Sequence, residues 1–306
     1  MGLFWAGRTT RPILLLVGAT LILISGSGFL YSRRGVPTYS AEVRTEILSI
    51  SMNAPNTHRW FMVKPRWQKD IDTVVQVAGK SGSVELFDSV QVTLSRHGNG
   101  KLLVQIESAV DDRSKLGPTA ILHWDSIDGD TKRRTDTAMD FLGVQIDSMH
   151  NPLTFPFVGW AILGADVPAE RRFAPMLLSG RVEIYGKTGK QRYRAGGAEL
   201  EAGDKFAVIR PSKEKEEKEK IGYGVIRIDP PGQGVDSRGM LVTYHAEGEE
   251  AQVNRFGTGG HRLSMSWLAL LTSNPLYGVL AVVVVAIYTG FITAAWEMMF
   301  MPRCDD

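Results

Sequence analysis

Through the middle of the chain, apolar and polar positions alternate with a period of two, the pattern of strands that bury one face. In SVQVTLSRHGNGKLLVQIES, Val90, Val92 and Leu94 alternate on one arm and Leu102, Val104 and Ile106 on the other. Asn99-Gly100 stands between them, a pair that tolerates positive φ in a tight turn, so the stretch predicts a β-hairpin. GRVEIYGKTGKQRYRAG predicts a second, with Val182 and Ile184 on one face, a turn over 186–190 and a return arm through Tyr193.

From residue 197 onward five short strand-like runs follow, AELEAGDKFAVIRP, IGYGVIRIDP, RGMLVTYHAEG, EAQVNRFG and HRLSMSW, punctuated by Gly, Pro and Asp. Their regular spacing predicts a small barrel or a compact antiparallel sheet. Further strands are expected at 42–52, 58–64, 71–77, 119–125 and 140–147, and one short helix in DVPAERRF after Asp166.

Two stretches break the period. NPLYGVLAVVVVAIYTGFITAAWEMMF, 274–300, is apolar on every face, and Glu297 is its one ionisable side chain from Leu276 to Phe300. A helix of about 25 residues rising about 1.5 Å each covers a hydrocarbon core of about 30 Å, so a transmembrane helix is predicted. Trp267, Tyr277 and Trp296 stand where interfacial rings would sit. The other stretch, Pro12 to about Tyr31, follows Arg8 and Arg11 and reads as an uncleaved signal anchor.

The expected organisation is therefore a cytoplasmic N-tail (1–11), a transmembrane signal anchor (12–31), a β-rich subdomain (32–165) and a second, barrel-like one (166–267). A transmembrane helix (274–300) and a cytoplasmic tail (301–306) complete it. The expected fold class is mainly β, an antiparallel β-sandwich or small barrel held extracytoplasmically between two transmembrane α-helices, as in a bacterial inner-membrane protein. Basic residues near the spans would by themselves favour a cytoplasmic middle, but long domains are translocated largely regardless of charge.

Charge and cysteine usage narrow the partners. A formal net charge of +2 gives no electrostatic case for nucleic acid. The sole cysteine, Cys304, excludes a disulfide scaffold or zinc ribbon in the middle. KEKEEKEK, 213–220, balances its signs and reads as a solvated tip between strands.

Little catalytic or metal chemistry is written in the pattern. The six histidines form no ligand pair on one element, and DSIDGD departs from a calcium-loop spacing. Gly79-Lys80-Ser81 lacks the earlier glycine of a P-loop. SISMNAP, 49–55, resembles the Ser-Met-x-Pro box of membrane signal peptidases, with Ala54 displacing the proline. That resemblance implies a Ser51 nucleophile with a lysine base, yet Lys64, Lys69 and Lys80 stand in no matching motif. No catalytic residue, cofactor or metal is therefore assigned.

The remaining candidates concern binding. NPLTFPFVGWAILGAD, 151–166, is read first as a buried strand, and otherwise as a membrane-dipping loop or pocket wall. Phe155, Phe157 and Trp160 are its candidate lipid or partner contacts. Gly278, Ala286, Gly290 and Ala294 recur at multiples of four and are candidates for close helix packing, with Gly18, Ser25 and Gly28 as a counterpart. The expected partners are other membrane proteins of a complex, membrane lipids or a second copy. The expected role is a structural or accessory binding subunit, with a Ser51 hydrolase and a lipid-binding sensor as alternatives.

Overall fold

The computed structural model describes residues 36–52, 58–63, 66–70, 73–75, 81–87, 90–108, 120–128, 131–139, 142–146, 151–165, 176–188, 191–209, 222–232, 237–255, 259–266 and 275–300, with 17, 18, 20 and 25 near the N-terminus. The chain divides into two compact units, one of 36–185 with 196–264, the other of 1–35, 186–195 and 265–306.

Described strands are, in chain order, β1 Thr38–Thr45, β2 Ile47–Met52, β3 His58–Val63, β4 Arg66–Asp70, β5 Thr73–Val75, β6 Ser81–Leu86 and β7 Val90–Arg96. Then come β8 Leu102–Ser108, β9 Ala120–Asp128, β10 Thr131–Met139, β11 Leu142–Ile146, β12 Leu153–Val158, β13 Trp160–Leu163 and β14 Leu177–Thr188. The rest are β15 Gln191–Leu200, β16 Lys205–Val208, β17 Tyr223–Ile228, β18 Met240–Glu247, β19 Ala251–Arg255 and β20 Gly259–Leu263.

They form three antiparallel sheets. The six-stranded sheet runs β12-β17-β18-β1-β14-β15, the four-stranded sheet β10-β9-β6-β3, and the ten-stranded sheet β20-β19-β16-β13-β2-β7-β8-β11-β4-β5. The two larger sheets layer as a β-sandwich whose core alternates as the period-two pattern requires. Tyr39, Ala41, Val43, Val242 and Tyr244 face inward from one, and Leu48, Ile50, Val92, Leu94 and Val104 from the other. The Tyr244 hydroxyl accepts a hydrogen bond from the Ala161 amide at 3.2 Å, joining the layers across the core.

Two places explain why the sheets stay in fixed relation. A single residue, Glu46, separates β1 in one sheet from β2 in the other, and a single residue, Gly159, separates β12 from β13. At the first corner the Glu46 amide donates to Met176 O and its carbonyl accepts from the Arg96 amide, both at 2.8 Å, so no buried backbone group is stranded there. At the second, a Cβ on Gly159 would lie 2.4 Å from Ser51 O, so only glycine admits this approach. Gly159→Ala is expected to destabilise the protein by about 1–3 kcal/mol through this overpacking. An unchanged midpoint in urea would show that the corner relaxes freely.

Both predicted hairpins are present, as β7–β8 and β14–β15. In the first, Gly100 N donates to His97 O at 2.8 Å, and of the two glycines of the turn it is Gly98, with a φ of 52°, rather than Gly100 that takes the positive value. The five expected C-terminal strand runs are found, but they build no barrel of their own. β17 and β18 enter the six-stranded sheet and β16, β19 and β20 the ten-stranded one, while β1 lies between β18 and β14. The expected boundary at 165/166 therefore crosses one continuous fold, because strands from both sides pair with each other. The short helix expected after Asp166, the KEKEEKEK tip and most of 12–31 lie outside the described residues. Val17, Gly18, Thr20 and Ser25 are helical.

The C-terminal helix runs over Pro275–Phe300, 26 residues. Counted over described side chains, no helix is long and apolar enough to cross a membrane.

Candidate functional site

The outer face of the six-stranded sheet is built by register. Across β12, β17, β18, β1 and β14, one row reads Pro156, Val225, Thr243, Glu42, Arg181, and the adjacent row reads Val158, Tyr223, His245, Ser40, Glu183. The rows divide the face. Toward β12 it is apolar, with Tyr223 52% and Val225 42% exposed and the Tyr223 ring 5.2 Å from the His245 ring. Toward β14 it is charged, with Arg181 Nη2 3.0 Å from Glu42 Oε2 in an open ion pair of small stabilising effect.

The edge at β12 is protected by chemistry legible in the strand. Pro156 removes an N–H from the ladder, and its carbonyl accepts the Trp60 indole N–H at 2.9 Å. Trp60 belongs to β3 of the four-stranded sheet, is fully buried, and packs against Phe155 with centroids 5.0 Å apart.

A second polar cluster lies at the β1–β2 corner. Arg96 is completely buried, and donates from Nη1 to Gly239 O (2.9 Å) and Ser237 O (3.4 Å) and from Nε to Gly100 O (3.3 Å). Nη2 has no partner among the described residues, and the neighbouring 233–236 lie outside them. Burial pushes the guanidinium below its ordinary value, with Asp229 opposing and Arg44 adding to the shift. Glu46 Oε1 accepts from the Gly98 amide at 2.8 Å, and Oε2 lies 3.6 Å from His97 Nδ1. Neutral carbonyls occupy Nε and Nη1 of Arg96, so the cluster clamps a corner, a turn and a loop.

The four-stranded sheet carries the third. His123 Nε2 lies 3.0 Å from Glu85 Oε2, and the Arg59 Nε–H donates to Ser83 Oγ at 2.9 Å. Ser83 and His123 are cross-strand partners, the hydroxyl accepting from Arg59 and the ring meeting Glu85. Just before β16, buried Asp204 accepts from Nε and Nη2 of Arg255 at the end of β19 at 3.3 and 3.4 Å, which raises the Arg255 pKa, first through that hydrogen bond.

The sequence-derived candidates fall as follows. Phe155 and Phe157 are each 1% exposed, which makes 151–166 the core-crossing strand pair β12–β13 and withdraws both rings from any lipid or partner surface. The reason is phase: alternation turns Phe155 and Phe157 inward together, against Trp60 and Tyr244. Trp160 lies in the other phase, half-buried on the outer side of the ten-stranded sheet. Ser51 is the penultimate residue of β2, between Trp160 and Gln91 in register, while 53–57 and the side chains of Lys64, Lys69 and Lys80 lie outside the described residues.

Ala286, Gly290 and Ala294 are exposed on the C-terminal helix, and a Cβ on Gly290 or on Gly18 would meet nothing within 4 Å. The surroundings of Gly278 are outside the described side chains. No group of three metal-ligating residues occurs among the described residues.

Arg96 and the apolar rows of β12 and β17 escaped sequence reasoning. Arg96 continues the inward phase of Val90, Val92 and Leu94, a signal that was available; the rows depend on pairings more than sixty residues apart in sequence.

No protein-family model and no curated protein matches the chain. Among solved structures it matches two single-site alanine mutants of HCR/D. One is 7% identical, covering 70% of this chain and 79% of that chain at a TM-score of 0.11. The other is 8% identical, covering 76% and 83% at a TM-score of 0.12. Scores this low carry no argument about fold or function.

Proposed function

We propose that the chain is a double-anchored membrane protein whose β-rich part lies on the extracytoplasmic side and works by binding, as an accessory subunit of a membrane complex. The observation that carries the binding role is the exposed apolar half of the six-stranded sheet, where Tyr223 and Val225 stand open beside Pro156 and Val158. Solvent-facing sheet positions normally alternate to polar residues, and contiguous apolar ones beside a charged rim mark contact surfaces. The anchoring rests on the uniformly apolar sequence of Pro275–Phe300 and of 12–31.

A photocrosslinking side chain at Val225 in cells is expected to trap a membrane protein of another size, and Val225→Glu to abolish a complex isolated with wild-type protein. Trapping nothing at Val225, while Val225→Glu leaves the complex intact, would remove the role. Orientation is tested separately. In a Cys304→Ser background, Glu42→Cys should react with an impermeant maleimide from the extracytoplasmic side. Labelling only after lysis would place the middle in the cytoplasm.

A further inference from the structure

We propose that the outer face of the ten-stranded sheet is a platform for a linear, uncharged polysaccharide. Register across β13, β2, β7, β8 and β11 sets Ile162, Ser49, Thr93, Gln105 and Gly143 in one row. The row beside it reads Trp160, Ser51, Gln91, Glu107. At about 4.8 Å per strand, five strands offer a track about 19 Å long.

The chemistry of this track selects its occupant. Among the described outward positions of these five strands only Glu107, at the rim, is charged, although 22% of the chain is Asp, Glu, Lys or Arg. The other large sheet carries Glu42, Arg181, Glu183 and Arg227 on its outer face, whereas on this one Arg66 and Arg262 stand on the flanking strands β4 and β20. A phosphate backbone or an anionic lipid surface needs cations, which the outward positions of these five strands lack. A protein partner is met through apolar and aromatic anchors at the centre of a patch, where here Ser49, Thr93 and Gln105 stand.

Hydroxyl-rich neutral chains need what is present: side-chain amides and hydroxyls that both donate and accept, beside an aromatic face for the apolar side of a sugar ring. The Gln91 amide is already oriented, donating to Ser49 Oγ at 3.2 Å, and Ile162 is 39% exposed next to Trp160.

The test uses full-length protein in a detergent without a sugar headgroup, incubated with insoluble cellulose, chitin and β-1,3-glucan and then sedimented. Retention is expected on at least one of them, and is expected to persist at about 1 M salt, where the Debye length is about 3 Å. Trp160→Ala and the double variant Gln91→Ala/Gln105→Ala should each weaken it about tenfold, while Val225→Glu leaves it unchanged. That last arm separates this surface from the one proposed for the membrane partner.

Both variants are checked by urea denaturation. Should Trp160→Ala prove unstable, the glutamine variant, altered only at outward positions, decides. Absence of retention on all three polymers, wild-type retention by the variants, or equal retention on alginate that salt abolishes would each overturn the proposal. So would a change from dimer to monomer on Trp160→Ala with polysaccharide retention unaffected, which would make a second copy the occupant.

Discussion

Replacing Trp60 by alanine is expected to lower the unfolding free energy by about 3–5 kcal/mol. Three losses coincide. The indole is fully buried, it forms the aromatic contact with Phe155, and its N–H satisfies the Pro156 carbonyl on an edge strand that proline has already deprived of an N–H. Trp60→Phe separates them: it keeps most of the apolar volume but strands the carbonyl, and should cost about 1–3 kcal/mol. Urea denaturation of the full-length protein in mild detergent measures both. Midpoints equal to wild type would mean that the four-stranded sheet adds nothing to the stability of β12.

Arg96→Ala comes next, with an expected loss of about 2–5 kcal/mol from buried carbonyls left without a donor and a large side chain removed from the core. The carbonyls of Gly100, Ser237 and Gly239 would lose their donor and the core a large side chain. Arg96→Lys should retain part of the stability, because one ammonium cannot span carbonyls that the planar fork reaches together. A lysine variant as stable as wild type would show that only the charge matters. An alanine variant within about 1 kcal/mol of wild type would make the clamp dispensable.

These two residues also mark how far the sequence is legible. β7 and β8 declare themselves because both arms alternate without interruption around a short turn. β10, TKRRTDTAM, has no apolar phase and was not foreseen, since it lies at the edge of its sheet and β9 supplies the pairing. The 151–166 run is recognisable as a buried strand, but its division at Gly159 into strands of two different sheets depends on how closely Ser51 O approaches, which no local pattern records.

Strand order was less legible still. β1 pairs with β14 and β18, partners that only the closed fold brings together, so a boundary at 165/166 looked natural in one dimension. Among the candidate contacts, Phe155 and Phe157 follow the leading buried-strand reading of 151–166 rather than its contact alternative, because they share the phase of the core.

β1 begins at Thr38 and is hydrogen-bonded along its length on both sides, to β18 and to β14. Any tension entering through the residues before Val36 therefore pulls along a strand held by two antiparallel ladders at once. Its bonds must yield together in shear, where an edge strand would unzip one at a time. A pull from the N-terminal segment would thus arrive at a strand that both of its neighbours hold.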